Sequence, residues 1–246
     1  MDVSDFYDDY VPRQVSVGIN DRHRSILGLL VRFGLRPHHH VLEIGSGVGT
    51  VTELIADALD SAGSVTGIDI SPKSIEIARR RLGNRGNVTL ISGNILEVEV
   101  TDRFDVVVLP DVIEHIPLEL HEQLFGRIAG WLRDDGFALL HYPNPHHLQW
   151  VHEHRPHLLQ IVDQPIHADV LLANACPHGL YLDHYERYSI WVREGDYVFA
   201  VLRSLEGIGE FHDLPEPRPS LWVRMSRRAK RSLRLLARRR VSQAPE

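Results

Sequence analysis

A short glycine-rich segment has the residue types and spacing best suited to ligand chemistry. The segment 45–50 reads GSGVGT; it follows VLEI, an apolar run typical of a buried strand, and precedes a helical pattern that extends to Leu59. Glycines let a backbone turn tightly beside a ligand, and amide groups at a helix start can bind polar or anionic ligand atoms. The segment therefore predicts a nucleotide-type binding loop at a strand end.

Acidic residues near this loop narrow the choice of ligand. A dinucleotide fingerprint, GxGxxG, needs glycine at position 50, where this chain has Thr50, and a pyrophosphate would be repelled by Glu43. These two residues disfavour a dehydrogenase, whereas Glu43 suits a cationic ligand. Asp69 ends the next predicted strand, about twenty residues after Gly49, a spacing typical of an acid that binds ribose hydroxyls. Its alternative role is to cap the following helix, for which Ser71 is also available.

Two histidines at strand ends are candidates for proton transfer. His115 lies just beyond the fourth predicted strand and His141 at the end of the fifth, and histidine can accept a hydroxyl proton near neutral pH. The alternative for each is a hydrogen-bonded structural role. More histidines crowd positions 146–157, but none has the HExxH spacing of a zinc site, so we expect no metal.

The elements that would hold these residues alternate between strand and helix patterns. Five strand-like runs separated by helical ones lie between positions 41 and 143, which predicts a parallel, doubly wound α/β sheet. ERYSIWV (186–192) and YVFAVLR (197–203) are expected to form a closing hairpin. The predicted fold is a Rossmann-like doubly wound seven-stranded sheet with an antiparallel terminal hairpin, a helical N-terminal cap and an insertion between strands 5 and 6.

The same pattern divides the chain into segments. We predict cap or lid helices over residues 1–35, a core domain over 36–205 and a basic C-terminal tail over 206–246. Within the core domain, the strand and helix periods are lost over 144–182, where histidine, proline and aromatic residues accumulate. An insertion at this place lies at the edge of the sheet where open α/β folds bind ligands, so it is expected to cover the substrate.

Four motifs carry a resemblance to a known family. In chain order they are LEIGSGVGT, GIDIS, SGNIL and FDVVVLPDVIEHIP, and they resemble the ordered motifs of class I S-adenosylmethionine-dependent methyltransferases, in their small-molecule branch. The resemblance covers about residues 41–142. It implies a Rossmann-like fold, S-adenosyl-L-methionine as cofactor and methyl transfer as the activity.

The resemblance also implies which residues hold the cofactor. The glycine loop would pack against its methionine end, and Asp69 would bind the ribose hydroxyls. Asn94 stands where the family usually has an acid that bonds the adenine amino group, and its amide oxygen can still accept that bond. The N-terminal flank resembles that of a bacterial subgroup, and its Tyr10 and Gln14 are candidates to close over the cofactor. Their alternative is to be ordinary surface residues. The implied set is Tyr10, Gln14, Glu43, Gly45, Gly47, Gly49, Asp69, Ile70, Asn94, Ile95, Pro110 and Asp111.

The segment after the fourth strand bears on the acceptor. Nucleic-acid and protein N-methyltransferases of this fold commonly carry an Asn/Asp-Pro-Pro-aromatic tetrad there, whereas this chain reads LPDV (109–112). Methyl transfer from a sulfonium is an in-line displacement that needs alignment and deprotonation of the nucleophile. We therefore expect a small-molecule acceptor with an oxygen nucleophile and a histidine base, while nitrogen and carbon acceptors stay open.

Charge and cysteine content restrict the partners and the compartment. The net charge is −6, yet ten basic residues and one acidic residue follow position 217, so the rest of the chain is strongly acidic. An acidic body disfavours nucleic acid as a partner. The tail either contacts RNA or an anionic membrane surface, or is a frayed terminus. A single cysteine, an acidic N-terminus and no apolar run of the roughly 18 residues that span a bilayer predict a cytoplasmic protein.

Overall fold

The computed structural model describes residues 3–209, in which helices and strands alternate. The basic tail from position 210 onward lies outside the described residues. None of the helices in the described part is both long and apolar enough to cross a membrane. The α-helices are α1 (Val3–Val17), α2 (Asp21–Phe33), α3 (Thr50–Ala58), α4 (Pro72–Leu82), α5 (His121–Trp131), α6 (Pro145–His154) and α7 (Ala168–Ala175). The strands are β1 (His40–Ile44), β2 (Ser64–Asp69), β3 (Val88–Ser92), β4 (Phe104–Pro110), β5 (Leu132–Pro143), β6 (Leu180–Tyr188) and β7 (Tyr197–Ser204).

The seven strands form one sheet in the order β3-β2-β1-β4-β5-β7-β6. The pairs from β3 to β5 are parallel, and β7 is antiparallel to both β5 and β6. The strand order reverses direction between β1 and β4, so the loops that follow these two strands diverge and leave a crevice. The predicted Rossmann-like fold with its antiparallel hairpin is confirmed, as are the helical cap and the insertion.

Apolar side chains are buried on both faces of the sheet. In β4, Val106 and Val108 pack in the cluster that includes Ile26 of α2 and Ile55 of α3, whereas Val107 lies in the cluster on the opposite face. Continuous apolar strands of this kind are required where helices cover both faces of a parallel sheet. The helices are therefore held on rigid strands, and the strand ends are fixed in position.

Local signals set the starts of two helices beside the crevice. Asn20 caps α2 by accepting hydrogen bonds from the N–H groups of Arg22 and His23, and His23 bonds back to the backbone of Asn20. Ser71 caps α4, whose first residue is Pro72, and accepts from the N–H of Ser74. Such caps satisfy amide groups that have no partner within the helix, and they fix where each helix begins.

Element bounds differ from the predicted ones at the hairpin. β6 ends at Tyr188, so the predicted strand ERYSIWV was placed too far along the chain. The buried carboxylate of Asp196 explains the difference, because it accepts hydrogen bonds from the N–H groups of Ile190 and Trp191. These backbone groups are therefore used within the loop between β6 and β7 rather than in a strand, and Trp191 is directed to the crevice.

Candidate active site

A cavity of about 390 Å³ lies at the carboxyl ends of β1, β2 and β4. Its volume is within the range of small-molecule sites. Residues of α1, the insertion and the β6–β7 loop cover it, and Trp191 at its edge is 59% exposed. All the residues predicted to bind the cofactor line this cavity except Gly49.

The glycine loop forms one wall of the cavity. The N–H groups of Gly45 and Ser46 donate to the carbonyl oxygen of Ile68, which ties the loop to β2. Gly45 and Gly47 have φ values of 78° and 52°, a backbone region that favours glycine. A Cβ atom at Gly45 would collide with Val112, so this position has no room for a side chain.

Gly49 has a structural role in the same loop. It precedes α3 with a φ of 80°, and a Cβ atom there would lie 2.8 Å from Leu82 of α4. Its lack of a side chain therefore permits close packing of two helices, and it does not line the cavity.

Two carboxylates, the buried Glu43 and the half-buried Asp69, lie beneath the loop. Glu43 is 1% exposed and accepts a hydrogen bond of 2.6 Å from Oγ1 of Thr52, and burial raises its pKa to about 8. The two oxygens of Asp69 accept from the N–H groups of Gly47 (2.7 Å) and Ser71 (2.8 Å). Burial raises the pKa of Asp69 as well, against these two bonds. A positively charged ligand group nearby would stabilise both charged forms.

Helix α1 brings the predicted Tyr10 and Gln14 to the cavity. A Cβ atom on Gly47 would lie 3.3 Å from the side-chain amide of Gln14, so α1 and the glycine loop are close neighbours. The helix is attached to α4 by Asp8, which accepts from Oγ of Ser71 at 2.5 Å. The cap is therefore held at the site by polar contacts that the sequence analysis did not identify.

The predicted adenine side of the cavity is lined by Ile70, Asn94 and Ile95. Oδ1 of Asn94 accepts from the N–H of Leu96 at 3.0 Å. An amide oxygen has two lone pairs, so it can accept one further hydrogen bond from a ligand.

Asp111 lies at the start of a buried network. It is a non-glycine residue with a φ of 55°, and its carboxylate contacts Nη1 of Arg22 (2.5 Å) and Nδ1 of His141 (2.7 Å). Burial opposes its charge, but Arg22 and His141 outweigh burial and hold the pKa of Asp111 below its usual range. The hydroxyl of Tyr188 donates to Nε2 of His141 at 2.6 Å, and the ring of Tyr197 stacks on His141.

The two candidate bases occupy different places. His141 has no exposed surface, both of its ring nitrogens are bonded, and it lies behind Asp111 rather than on the cavity wall. His115, together with Pro110 and Asp111, lines the cavity. In this arrangement only His115 of the two can meet a ligand without rearrangement.

His115 is oriented by the insertion. Its Nδ1–H donates to the carbonyl oxygen of Val162 at 2.6 Å and lies 3.2 Å from Oδ1 of Asp163. A carbonyl oxygen only accepts, so in the neutral ring Nε2 carries no proton; it lies 3.8 Å from Oε1 of Glu114. Burial opposes a charged ring, but Glu114 and Asp163 outweigh it and raise the pKa of His115 to about 9.

The insertion is joined to the segment that carries His115 by further bonds. The backbone N–H of Gln164 donates to the carbonyl oxygen of Glu114, and its side-chain amide donates to that of Ile116. His152 bonds the carbonyl oxygen of Asp163 through Nε2. Within residues 3–209 no three His, Cys, Asp or Glu side chains are grouped as metal ligands would be.

Several cavity residues were not identified from the sequence. They come from segments without a recognisable motif, far apart in the chain, although the FYDDY segment that contains Tyr10 also contains Tyr7. The available signal on α1 was helical spacing, since Tyr7, Tyr10 and Gln14 are three and four residues apart and share one face of the helix. The missed lining residues with polar or aromatic groups include Tyr7, Arg22, Gln160, Trp191 and Tyr197.

Comparison with known proteins agrees with this architecture. Residues 41–136 match a family model described as a methyltransferase domain. Over 104 residues the chain is 32% identical to a ubiquinone biosynthesis O-methyltransferase of Nitrosospira multiformis, which covers 41% of this chain and 38% of that protein. The chain therefore spans about two fifths of the length of that curated relative.

Solved structures share the fold. A putative methyltransferase of Haloferax volcanii, in complex with a methyltransferase activator, has a TM-score of 0.68 at 16% identity, covering 86% of this chain and all of that one (100%). A magnesium protoporphyrin IX methyltransferase from Synechocystis with bound S-adenosylhomocysteine has a TM-score of 0.58 at 20% identity, covering 74% and 81%. The four motifs, the family model matched by residues 41–136 and the strand order together identify this part of the chain as a class I S-adenosylmethionine-dependent methyltransferase domain.

Proposed function

We propose that the protein transfers a methyl group from S-adenosylmethionine to an oxygen atom of a small-molecule acceptor, with His115 as the general base. The observation that carries this proposal is that one cavity contains the glycine loop, Asp69 and His115. A cofactor site and a group able to accept a proton are thus next to each other, under a cover that leaves space for a small acceptor.

The residues present fit the cofactor. Gly45 and Gly47 leave the loop wall free of side chains, and the buried Glu43 has only Thr52 as a side-chain partner in the described structure, so a cationic amino group would be a suitable neighbour. Asp69 would accept from ribose hydroxyls, while Asn94 and Ile70 would face the adenine. When bound, S-adenosylmethionine supplies a methyl group already activated by the positive charge on sulfur.

Asp111 would hold negative charge beside that positive centre. Its carboxylate is kept ionised by Arg22 and His141, and its orientation is fixed by hydrogen bonds on both oxygens. His141 is then a positioning residue that acts through Asp111. This use of the second candidate histidine explains why it is buried behind the cavity wall.

The chemistry of His115 supports its role as the base. With Nδ1–H bonded to Val162, the neutral ring presents Nε2 as an acceptor for the proton of a hydroxyl. Glu114 beside Nε2 stabilises the imidazolium that proton transfer creates. A base of raised pKa is suited to a hydroxyl, which is a weak acid, and the relative from Nitrosospira multiformis is named an O-methyltransferase.

Calorimetric titration of the full chain with S-adenosylmethionine and with S-adenosylhomocysteine tests the first part of the proposal. We expect one site for each compound and no heat with NAD. If neither sulfur compound binds, the proposed activity is excluded. The histidine is tested separately, by the rate of methyl transfer in the variants described below.

A further inference from the structure

Unpartnered polar atoms mark the part of the cavity beside His115. Among the described residues, three cavity-lining side chains have a buried polar atom without a hydrogen-bond partner, namely Tyr7 (hydroxyl), Ser46 (Oγ) and Gln160 (Oε1). Ser46 points to β2, since Oγ would lie 3.1 Å from a Cβ on Gly67. Tyr7 and Gln160 remain, and buried polar groups without partners are rare enough to need an explanation.

Both side chains belong to segments that flank His115. The ring of Tyr7 on α1 meets the His115 ring at 6.1 Å between centroids, in an edge arrangement. Gln160 donates its backbone N–H to Oδ2 of Asp163 at 2.5 Å, and Oδ1 of the same carboxylate contacts His115. Tyr7 and Gln160 therefore belong to separate parts of the cover, and both line the cavity that His115 lines.

The local charges limit what these atoms can bind. Glu114 is 1% exposed and its Oε2 has no partner in the described structure, while Asp111 and Asp163 are nearby carboxylates. Burial and Glu114 raise the pKa of Tyr7, so its hydroxyl stays protonated and can donate. Burial raises the pKa of Glu114, and Arg22 and His115 offset the charges of Asp111 and Asp163, so these groups carry no surplus positive charge that would attract a carboxylate or phosphate acceptor.

The number of protons on the acceptor limits which atoms can bond to Gln160. The reacting hydroxyl has one proton, which goes to Nε2 of His115 as its oxygen forms the bond to the methyl carbon and the carbon–sulfur bond breaks. That oxygen can accept from the hydroxyl of Tyr7, but it has no second proton for Oε1 of Gln160. The Gln160 oxygen therefore needs a donor elsewhere on the acceptor.

We propose that Tyr7 and Gln160 recognise an uncharged acceptor with two neighbouring hydroxyl groups, of which one is methylated and the other donates to Gln160. This inference rests on the proposed methyl transfer. Two kinds of molecule present such a pair, an aromatic diol and a sugar cis-diol, and the exposed Trp191 at the edge of the cavity offers a flat surface to either.

The test compares matched acceptors with S-adenosylmethionine and the full chain. Catechol and methyl α-mannopyranoside present paired hydroxyls, phenol has one, benzoate has a carboxylate and aniline an amine. We expect one of the two diols to be methylated at least about tenfold faster than phenol, as one hydrogen bond to a buried group allows. Equal rates for phenol, preference for benzoate or aniline, or no turnover of any compound while the cofactor binds would overturn the assignment.

Substitutions distinguish the roles proposed for Tyr7 and Gln160. Gln160→Leu should reduce the ratio of diol to phenol rates to about one, whereas Tyr7→Phe should lower both rates together. Gln149→Leu and Tyr181→Phe, outside the cavity, are the matched controls and should leave the ratio unchanged. An unchanged ratio in Gln160→Leu contradicts the proposal.

Thermal unfolding gives a readout that needs no acceptor. If the two polar atoms are kept for a ligand, Tyr7→Phe and Gln160→Leu leave the midpoint of the free protein unchanged or raise it, because each removes a buried polar atom without a partner. A fall of several degrees in both variants would assign these atoms to fold stability and overturn the inference. Loss of cofactor binding in the unmodified protein would instead refute the proposed methyl transfer.

Discussion

The carboxylates beneath the cavity and the polar groups above it differ in how their hydrogen-bonding atoms are used. The floor, defined as Glu43, the glycine loop and Asp69, bonds largely to itself: Asp69 accepts from Gly47, and Glu43 accepts from Thr52. The cover, defined as Tyr7, His115 and Gln160, leaves the Tyr7 hydroxyl and Oε1 of Gln160 without partners in the described structure.

This difference follows from how the two parts are assembled. The floor comes from residues 43–69, where two adjacent parallel strands and one loop fix every position. The cover joins α1, the segment after β4 and the insertion, which are far apart in the chain. A floor that is rigid before binding suits a cofactor that a whole family shares. A cover with unused hydrogen-bonding groups suits an acceptor that differs between relatives.

The largest effect should come from the cover. Replacing His115 by Gln removes the proposed base, and general-base catalysis typically contributes about 10²- to 10⁴-fold, so kcat should fall by that factor. The affinity for S-adenosylmethionine should change by less than about threefold, since the floor is intact. Rates are measured as S-adenosylhomocysteine formed with the fastest acceptor, and binding by calorimetry.

His38→Gln is the matched control, because His38 is an exposed histidine before β1. It should leave both quantities unchanged. If His115→Gln retains full kcat, the general base is another residue. The cover would then not supply the group that accepts the proton.

The pH dependence of kcat/KM should identify His115 as the base. His115 must be neutral to accept a proton, and Glu114 and Asp163 raise its pKa to about 9, while burial raises the pKa of Glu114 as well, so kcat/KM should rise with pH between 6 and 8 as this pair loses its protons. Asp163→Asn removes one of these charges and should move the profile to lower pH. Ionisation of the acceptor itself would not move with that variant, so an unmoved profile would assign the titration to the acceptor.

Asp69→Asn tests the floor. The change removes a charged acceptor proposed for the ribose hydroxyls, and hydrogen bonds to charged groups are worth about 1.5–3 kcal/mol, so affinity for S-adenosylmethionine should fall about 10- to 100-fold. Asp60→Asn is a close control, since Asp60 also accepts from two backbone N–H groups, those of Ala62 and Gly63, but does not line the cavity. Equal losses in both variants would show a general effect of removing a carboxylate.

The comparison also explains what could be predicted from the sequence. The floor was predictable because strand alternation and a glycine loop are local patterns, and residues that follow adjacent parallel strands meet at one edge. The pairing of Tyr7 with Gln160 was not predictable, because it depends on how α1 and the insertion pack, and the helical spacing of Tyr7 with Tyr10 and Gln14 says nothing about Gln160. The predicted bounds of β6 were wrong for a similar reason. The apolar run SIWV has the pattern of a strand, but the backbone N–H groups of Ile190 and Trp191 donate to the buried carboxylate of Asp196.

His141 shows how far a sequence pattern can predict the place of a single side chain. Its position near the end of β5 predicted that it lies at the edge of the sheet where the cavity is found. Whether its ring meets the cavity or lies behind Asp111 depends on partners from other strands, Tyr188 of β6 and Tyr197 of β7. The register that brings these rings together is set by tertiary pairing and has no local signature.

The smallest effect is expected behind Asp111, at Tyr188. Tyr188→Phe deletes the donor to Nε2 of the buried His141 but leaves the Asp111 contacts to Arg22 and His141 in place. The free energy of unfolding should therefore fall by about 1 kcal/mol, a decrease of about 2–4 °C in the midpoint, while kcat and cofactor affinity change less than about twofold. Differential scanning calorimetry and the methyl-transfer assay measure the two outcomes. A large loss of kcat at unchanged stability would mean that the His141 chain takes part in the reaction itself, because a positioning contact removed this far from the cavity affects the fold before it affects the chemistry.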